Sequence, residues 1–261
     1  MPKKIPPLLP DISSWHAELF RVTAFTLPDV GNSSGGSWEA VVGSTPESRT
    51  VQPRQGIVQE SGPFLDGVLT LNASPLRTDW LLGTNFEKSD EGLPAIGSLT
   101  KVVEPFIRAV EKWLISAPAT KRLAWGAVLL QEVSTRIDGY NLLGKYLHHV
   151  ELDPEGSTDF LYSINRPRPS NILTGGSFNR LTRWSVTKMQ ALSMQVQLSS
   201  NAAPTALLAS SPQSEIHACR LELDISTPAE RNDALPAEML QPVLGELVGL
   251  GLEIAGKGDI K

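Results

Sequence analysis

Gly67-Val-Leu-Thr-Leu-Asn-Ala73, Ser74-Pro-Leu76 and Arg77-Thr-Asp-Trp-Leu-Leu82 are the consecutive stretches that decide the fold. Leu69, Leu71 and Ala73 alternate with Val68, Thr70 and Asn72, the period of two that sends successive side chains to opposite faces of a strand. Ser74-Pro75-Leu76 leaves room for a tight reversal and little else, so Arg77–Leu82 returns beside the first strand as its antiparallel partner. Asp66-Gly67 marks the turn before it.

Working outward, residues 16–26 and Gly56–Glu60 read as strands, and Trp38–Val42 as a short helix capped by Ser37. Residues 98–116 form the best helix. Leu99, Val102, Val103, Phe106, Ile107, Val110, Trp113 and Leu114 recur at 3.6-residue spacing behind an N-cap at Ser98. Pro105 either kinks this helix or sits in its first turn, which would start it near Glu104. Arg122–Val133 reads as a buried strand and Thr135–Leu147 as a second helix. Asp159–Asn165 is a strand, Leu181–Leu198 one long strand or two, and Cys219–Ile225 a strictly alternating one. Leu235–Ala255 closes the chain as an amphipathic helix with Leu240, Val243, Leu244, Leu247 and Val248 inward.

Strands followed by helices, twice over, give an α+β class: two sheet-plus-helix halves with mostly antiparallel strands. The expected division is an extended leader over 1–14, an N-terminal half over 15–150 and a C-terminal half over 151–261, with the turn-rich 150–158 as boundary. A length of 261 residues accommodates one large domain or two of about 130 each. Apolar residues at 41% and charged residues at 20% exclude a wholly disordered chain. The single cysteine, Cys219, excludes an internal disulfide framework and a zinc site of paired cysteines. Prolines break the N-terminal region where a secretory signal needs an apolar run, and no stretch of 18 apolar residues occurs, so no spanning helix and a cytoplasmic location are expected.

Three segments resemble a sporadically distributed family of uncharacterised bacterial two-part α+β proteins. They are Leu69 to Trp80, where Asp79 takes the place of the family's Asn; Tyr162-Ser-Ile-Asn-Arg166, with an added serine; and Leu221-Glu-Leu-Asp-Ile225 before the last helix. The resemblance implies a two-part α+β fold in the bacterial cytoplasm, and it implies no activity.

Motifs that would carry chemistry fall short of their requirements. Gly31-Asn-Ser33-Ser-Gly35 matches the nucleophile pattern of serine hydrolases, with His217 as a base, but it lies in a Gly/Ser loop rather than on a strand-to-helix elbow. Gly249-Leu-Gly251 has Ile254 where a dinucleotide fingerprint needs glycine, and reads as close packing and a helix stop. His148 and His149 diverge by about 100° on a helix, too far to share a metal. His217 and Cys219 share a strand face, as do Glu222 and Asp224, and each pair reads more simply as a buried thiol and a solvated face. No catalytic residue, metal or cofactor is expected.

Charge is distributed unevenly. Residues 160–214 contain five cations and no Asp or Glu, for a net +5, while 215–261 contain four cations and nine acids, for a net −5. Within the basic segment, Arg166, Arg168, Arg180, Arg183 and Lys188 come with Phe178, Trp184, Asn165, Asn171 and Asn179. Gly175-Gly176 is read as a hairpin tip carrying Phe178-Asn179-Arg180. Such a set suits an acidic protein partner or a second copy of the chain. With its rings free to stack, it suits nucleic acid as the alternative. The expectation is a non-enzymatic interaction protein, a subunit of a bacterial assembly, contacting its partner through 160–214.

Overall fold

The computed structural model describes residues 8–28, 38–85, 92–190, 195–197, 205–207 and 215–260. In chain order the strands are β1 (His16–Thr26), β2 (Ser48–Gln52), β3 (Ile57–Phe64), β4 (Gly67–Ser74), β5 (Arg77–Thr84), β6 (Gly97–Ser98), β7 (Thr120–Val133), β8 (Leu161–Asn165), β9 (Arg168–Pro169), β10 (Ser177–Gln190), β11 (Gln195–Gln197), β12 (Thr205–Leu207) and β13 (Glu215–Ser226). The helices are α1 (Trp38–Val42), α2 (Leu99–Leu114), α3 (Arg136–Tyr146) and α4 (Leu240–Lys257).

The hairpin over residues 67–82 is β4–β5, with Leu71 opposite Trp80 and Leu69 opposite Leu82. It belongs to an α+β fold built on an 11-stranded sheet of order β2-β3-β4-β5-β1-β7-β13-β10-β8, in which β6 adds to β1 and β9 to β10. The ladders of this sheet are antiparallel. The sheet does not stop at the 150–158 segment. β13 pairs along β7 from His217↔Val133 to Ser226↔Ala124, so strands from before and after that segment share one ladder. β11 and β12 form a separate two-stranded ladder between β10 and β13 in sequence.

The register fixes which side chains share a face. Trp80, Val22, Trp125 and Ile225 lie in one row across β5, β1, β7 and β13, and all four are buried. The helices cover this face. Phe106 of α2 stacks on Phe20 at 5.6 Å, Trp113 meets Trp80 at 6.3 Å, and Gly139 of α3 lies against Val186 and Val133. Helix α4 crosses Trp125 at Gly251, where a Cβ would come within 2.0 Å of the indole. All six tryptophans are buried. Five of them gather in two clusters, Trp38–Trp80–Trp113 beneath β5 and Trp15–Trp184 with Tyr146 beneath β10, while Trp125 stacks on Phe20 at 6.3 Å. The other face carries Arg21, Arg183, Arg220, Glu222 and Asp224, each at least a quarter exposed at the side chain.

Several expectations change in detail. Helix α2 starts at Leu99 and keeps Pro105 in its interior rather than in its first turn. Ser98 sits at the N-cap position, but its hydroxyl donates to the Ser13 carbonyl instead of capping the helix. The end of the leader is not extended: Asp11 caps a 3-10 turn over Ile12–Ser14, and the Trp15 indole N–H donates to the Ala255 carbonyl at 3.0 Å. Helix α4 runs past Gly249 and Gly251 and stops at Gly258, whose φ of +78° suits glycine. The helical run Ala237–Lys257, 21 residues at a mean hydropathy of 1.2, has the length and composition to cross a membrane. Here its apolar side, Leu240, Val243, Leu244, Leu247 and Ile254, is buried in the core. β2 was not anticipated, because all five of its residues are exposed and show no apolar alternation.

Candidate interaction surface

The acid-free segment enters the fold as β8, β9 and β10, with β11 and β12 toward its end. Its alternation settles which side chains go inward. Phe178, Arg180, Thr182 and Trp184 follow at every second position of β10, and Arg180 lies opposite Ile225, on the helix-covered face. These four are buried, Phe178 and Trp184 completely. Trp184 stacks on Tyr146 at 5.4 Å and donates to the Thr182 hydroxyl. Neither ring shows a face to solvent, so the stacking role given to them is replaced by a core role, for which period-two burial is sufficient cause. Asn179 accepts a hydrogen bond from Asn165 Nδ2, and Asn165 in turn accepts from the Arg180 backbone N–H. Gly175 does form the reversal between β9 and β10, at φ +70°.

Four of the segment's five cations reach acids of the 215–261 region. Arg166 holds Asp259 with two hydrogen bonds, Nε to Oδ1 at 2.6 Å and Nη2 to Oδ2 at 2.9 Å. Tyr162 adds a third, its hydroxyl donating to Oδ2 at 2.9 Å. Arg168 pairs with Glu253, which also holds Lys257 at 3.3 Å. Arg183 pairs with Glu222 at 3.3 Å and Lys188 with Glu215 at 2.6 Å. A fifth acid, Glu246, accepts from Ser170 and from both nitrogens of Asn171, tying the β9–β10 loop to α4. The acidic surface that the basic segment calls for is thus found first in the same chain. Arg180 is the exception, with no side-chain hydrogen bond or ion pair among the described residues.

Burial alone would raise the Asp259 carboxyl, but the hydrogen bonds from Arg166 and Tyr162 and the Arg166 charge more than reverse it, leaving it below the usual carboxylate range. Glu253 behaves alike, raised by burial and lowered further by Arg168 and Lys257. Sequence reading missed Asp259, Glu253 and Tyr162 as partners; the one signal for them was the matching charge surplus of 160–214 and 215–261.

Gly31–Gly35, with Ser33, lies outside the described residues. Cys219 is buried, donates to the Gly139 carbonyl at 3.3 Å, and is pushed up by burial to about 12, so its thiolate is suppressed. His148 and His149 fall beyond the end of α3, and their rings lie 4.2 Å apart instead of diverging. No group of three metal-ligating side chains occurs among the described residues. Glu222 and Asp224 are neutralised on the open face. Arg220 bridges Glu18 and Glu222, Arg183 holds Glu222, and Arg21 lies 3.8 Å from Asp224. A groove of about 410 Å³ between α1 and α2, lined by Val41, Phe64, Pro105, Arg108, Ala109 and Lys112, carries no catalytic set.

Comparison of the chain with family models, with curated proteins and with solved structures found no match.

Proposed function

We propose that this is a non-enzymatic interaction protein, a subunit of a bacterial assembly in the cytoplasmic setting that the three family-like segments imply, and that it meets its partner through the uncharged end of the acid-free segment. One observation carries this. The cations of 160–188 are engaged within the chain or buried, whereas residues 189–214 contain no Asp, Glu, Lys, Arg or His. The described pieces of that stretch, β11 and β12, pair with each other and with no third strand among the described residues. A two-stranded ladder is marginal in water until a further strand or an apolar surface covers it. Uncharged strand edges also lack the lysines and glutamates that discourage pairing with another chain. On the same reading, 15–150 and 151–261 are two sheet-plus-helix units joined along β7 and β13. A nucleic-acid contact through Arg166–Lys188 has less to support it, since Phe178 and Trp184 are core and the outward cations hold carboxylates.

The test exploits the register. Gln190 is opposite Glu215, so replacing residues 191–214 by Asn-Gly closes β10 onto β13 with a two-residue turn. The shortened protein is expected to keep its melting temperature within a few degrees and to lose both self-association in sedimentation and co-purification of a partner from a bacterial lysate at low salt. Retention of the partner by the shortened protein would overturn the proposal. Substituting Arg166 or Arg168 is a poorer probe, because it strands Asp259 or Glu253 and perturbs folding together with any contact.

A further inference from the structure

Arg180 occupies a place where a guanidinium is costly. It continues the row Trp80, Val22, Trp125, Ile225 on the helix-covered face and is only 3% exposed. Its Nε is sealed from solvent without an acceptor, and no carboxylate oxygen lies within ion-pair distance of its nitrogens among the described residues. A buried charge without a partner costs several kcal/mol and is normally found paired. Two more guanidiniums stand beside it. The Arg166 backbone N–H donates to the Arg180 carbonyl, which sets the two residues across the same ladder. Arg168 lies opposite Phe178, two residues along the same face. The carboxylates of the neighbourhood, Asp259 and Glu253, are already held by Arg166 and Arg168. Three guanidiniums thus stand around two carboxylates, and the unmatched one is the most deeply buried.

From this we infer that Arg180, flanked by Arg166 and Arg168, is the floor of a binding site for a small oxyanion, a carboxylate or phosphate group. Guanidinium forks match the paired oxygens of either group, and the anion supplies the missing charge. Arg166 and Arg168, each about a quarter exposed at the side chain, give it a way in from solvent. The site does not depend on the uncharged stretch 189–214.

The experiment uses the full chain at constant ionic strength, with inorganic phosphate and succinate titrated separately against chloride by calorimetry and by thermal unfolding. Saturable one-site binding is expected for at least one of them, with a rise of about 3–6 °C in Tm at tenfold Kd. The two arms tell phosphate from carboxylate. Arg180→Met should abolish saturable binding and should raise Tm in ligand-free buffer, because an apolar chain of similar length relieves the unpaired charge. Arg183→Met, on the open face, should bind as the parent does and so controls for general salting-out stabilisation. Absence of saturable heat with both anions would overturn the inference, as would equal binding by Arg180→Met. Should Arg180→Met fail to fold, the Arg180 Nε–Hε resonance of the parent chain decides. A saturable shift with phosphate or succinate supports the site, and an unmoved resonance with both rejects it.

Discussion

Asp259 shows how a single residue can join two ends of a chain. It is 5% exposed and accepts three hydrogen bonds from Arg166 and Tyr162, more than 90 residues away in sequence. Its carboxyl sits below the ordinary value, so the folded state holds it ionised where the unfolded chain, at about 3.9, has begun to take up a proton. The stability from this cluster is therefore complete above about pH 5 and is lost as pH falls through the lower, folded value. Asp259→Asn is expected to lose about 2–3 kcal/mol at neutral pH, less than a fully buried pair would because Arg166 is partly solvated. The gap between variant and parent should narrow below pH 3, as urea unfolding midpoints across pH 2–7 will show; a constant gap counts against the role. Cys219 gives a second check. With the thiol raised to about 12 and buried, a disulfide-exchange reagent at pH 8 should leave the native protein unmodified and label one thiol per chain once guanidinium unfolds it. The charge surplus of 160–214 was legible as a number, but which acid meets which cation was not. Pairs such as Arg166–Asp259 are made by the sheet and the end of α4, and no local spacing encodes them.

Among the elements, strands that bury one face were legible, and so was β8, which alternates between exposed and half-buried residues, whereas β2 and β9 were not. β4, β5 and β13 alternate because one side meets helices. β2 escaped because neither of its sides is buried, and β9 because two residues carry no period. The last helix was found but ended too early. Gly251 resembles a stop in sequence, yet its missing side chain admits Trp125, and the real stop is Gly258. A methyl group at Gly251 would lie 2.0 Å from Trp125 Cζ3, within a ring that cannot yield without moving α4 off β7. Gly251→Ala is accordingly expected to destabilise by about 1–3 kcal/mol. Gly249→Ala, with nothing within 4 Å, should be neutral or stabilise by a few tenths through helix propensity. Chemical denaturation of the two variants side by side checks this, and equal effects would show that α4 is not seated through Gly251.

For the whole molecule, the decisive relation is that the sequence halves and the sheet do not divide at the same place. β7 closes the strands of the first half, and β13, nearly the last element, pairs along it and also along β10. Removing residues 151–261 would uncover one edge of a 14-residue strand, together with Leu123, Trp125, Ala127 and Leu129, which α4 and its neighbours keep buried. Removing 1–150 would do the same to β13 and leave Trp184 without Trp15 and Tyr146. A long, unpaired, apolar edge is an aggregation template, and a sheet wing without its helix loses several side chains' worth of burial at about 1.5–3 kcal/mol each. Fragments 1–150 and 151–261 expressed separately are therefore expected to be insoluble or molten, with far-UV signal but no sharp thermal transition. Co-expression should restore a soluble one-to-one complex, because β7, β13 and α4 carry the pairing surface without needing the covalent link. A fragment 1–150 that unfolds cooperatively as a monomer would show instead that the first half is a domain in its own right, with β13 docked onto an edge already stable alone.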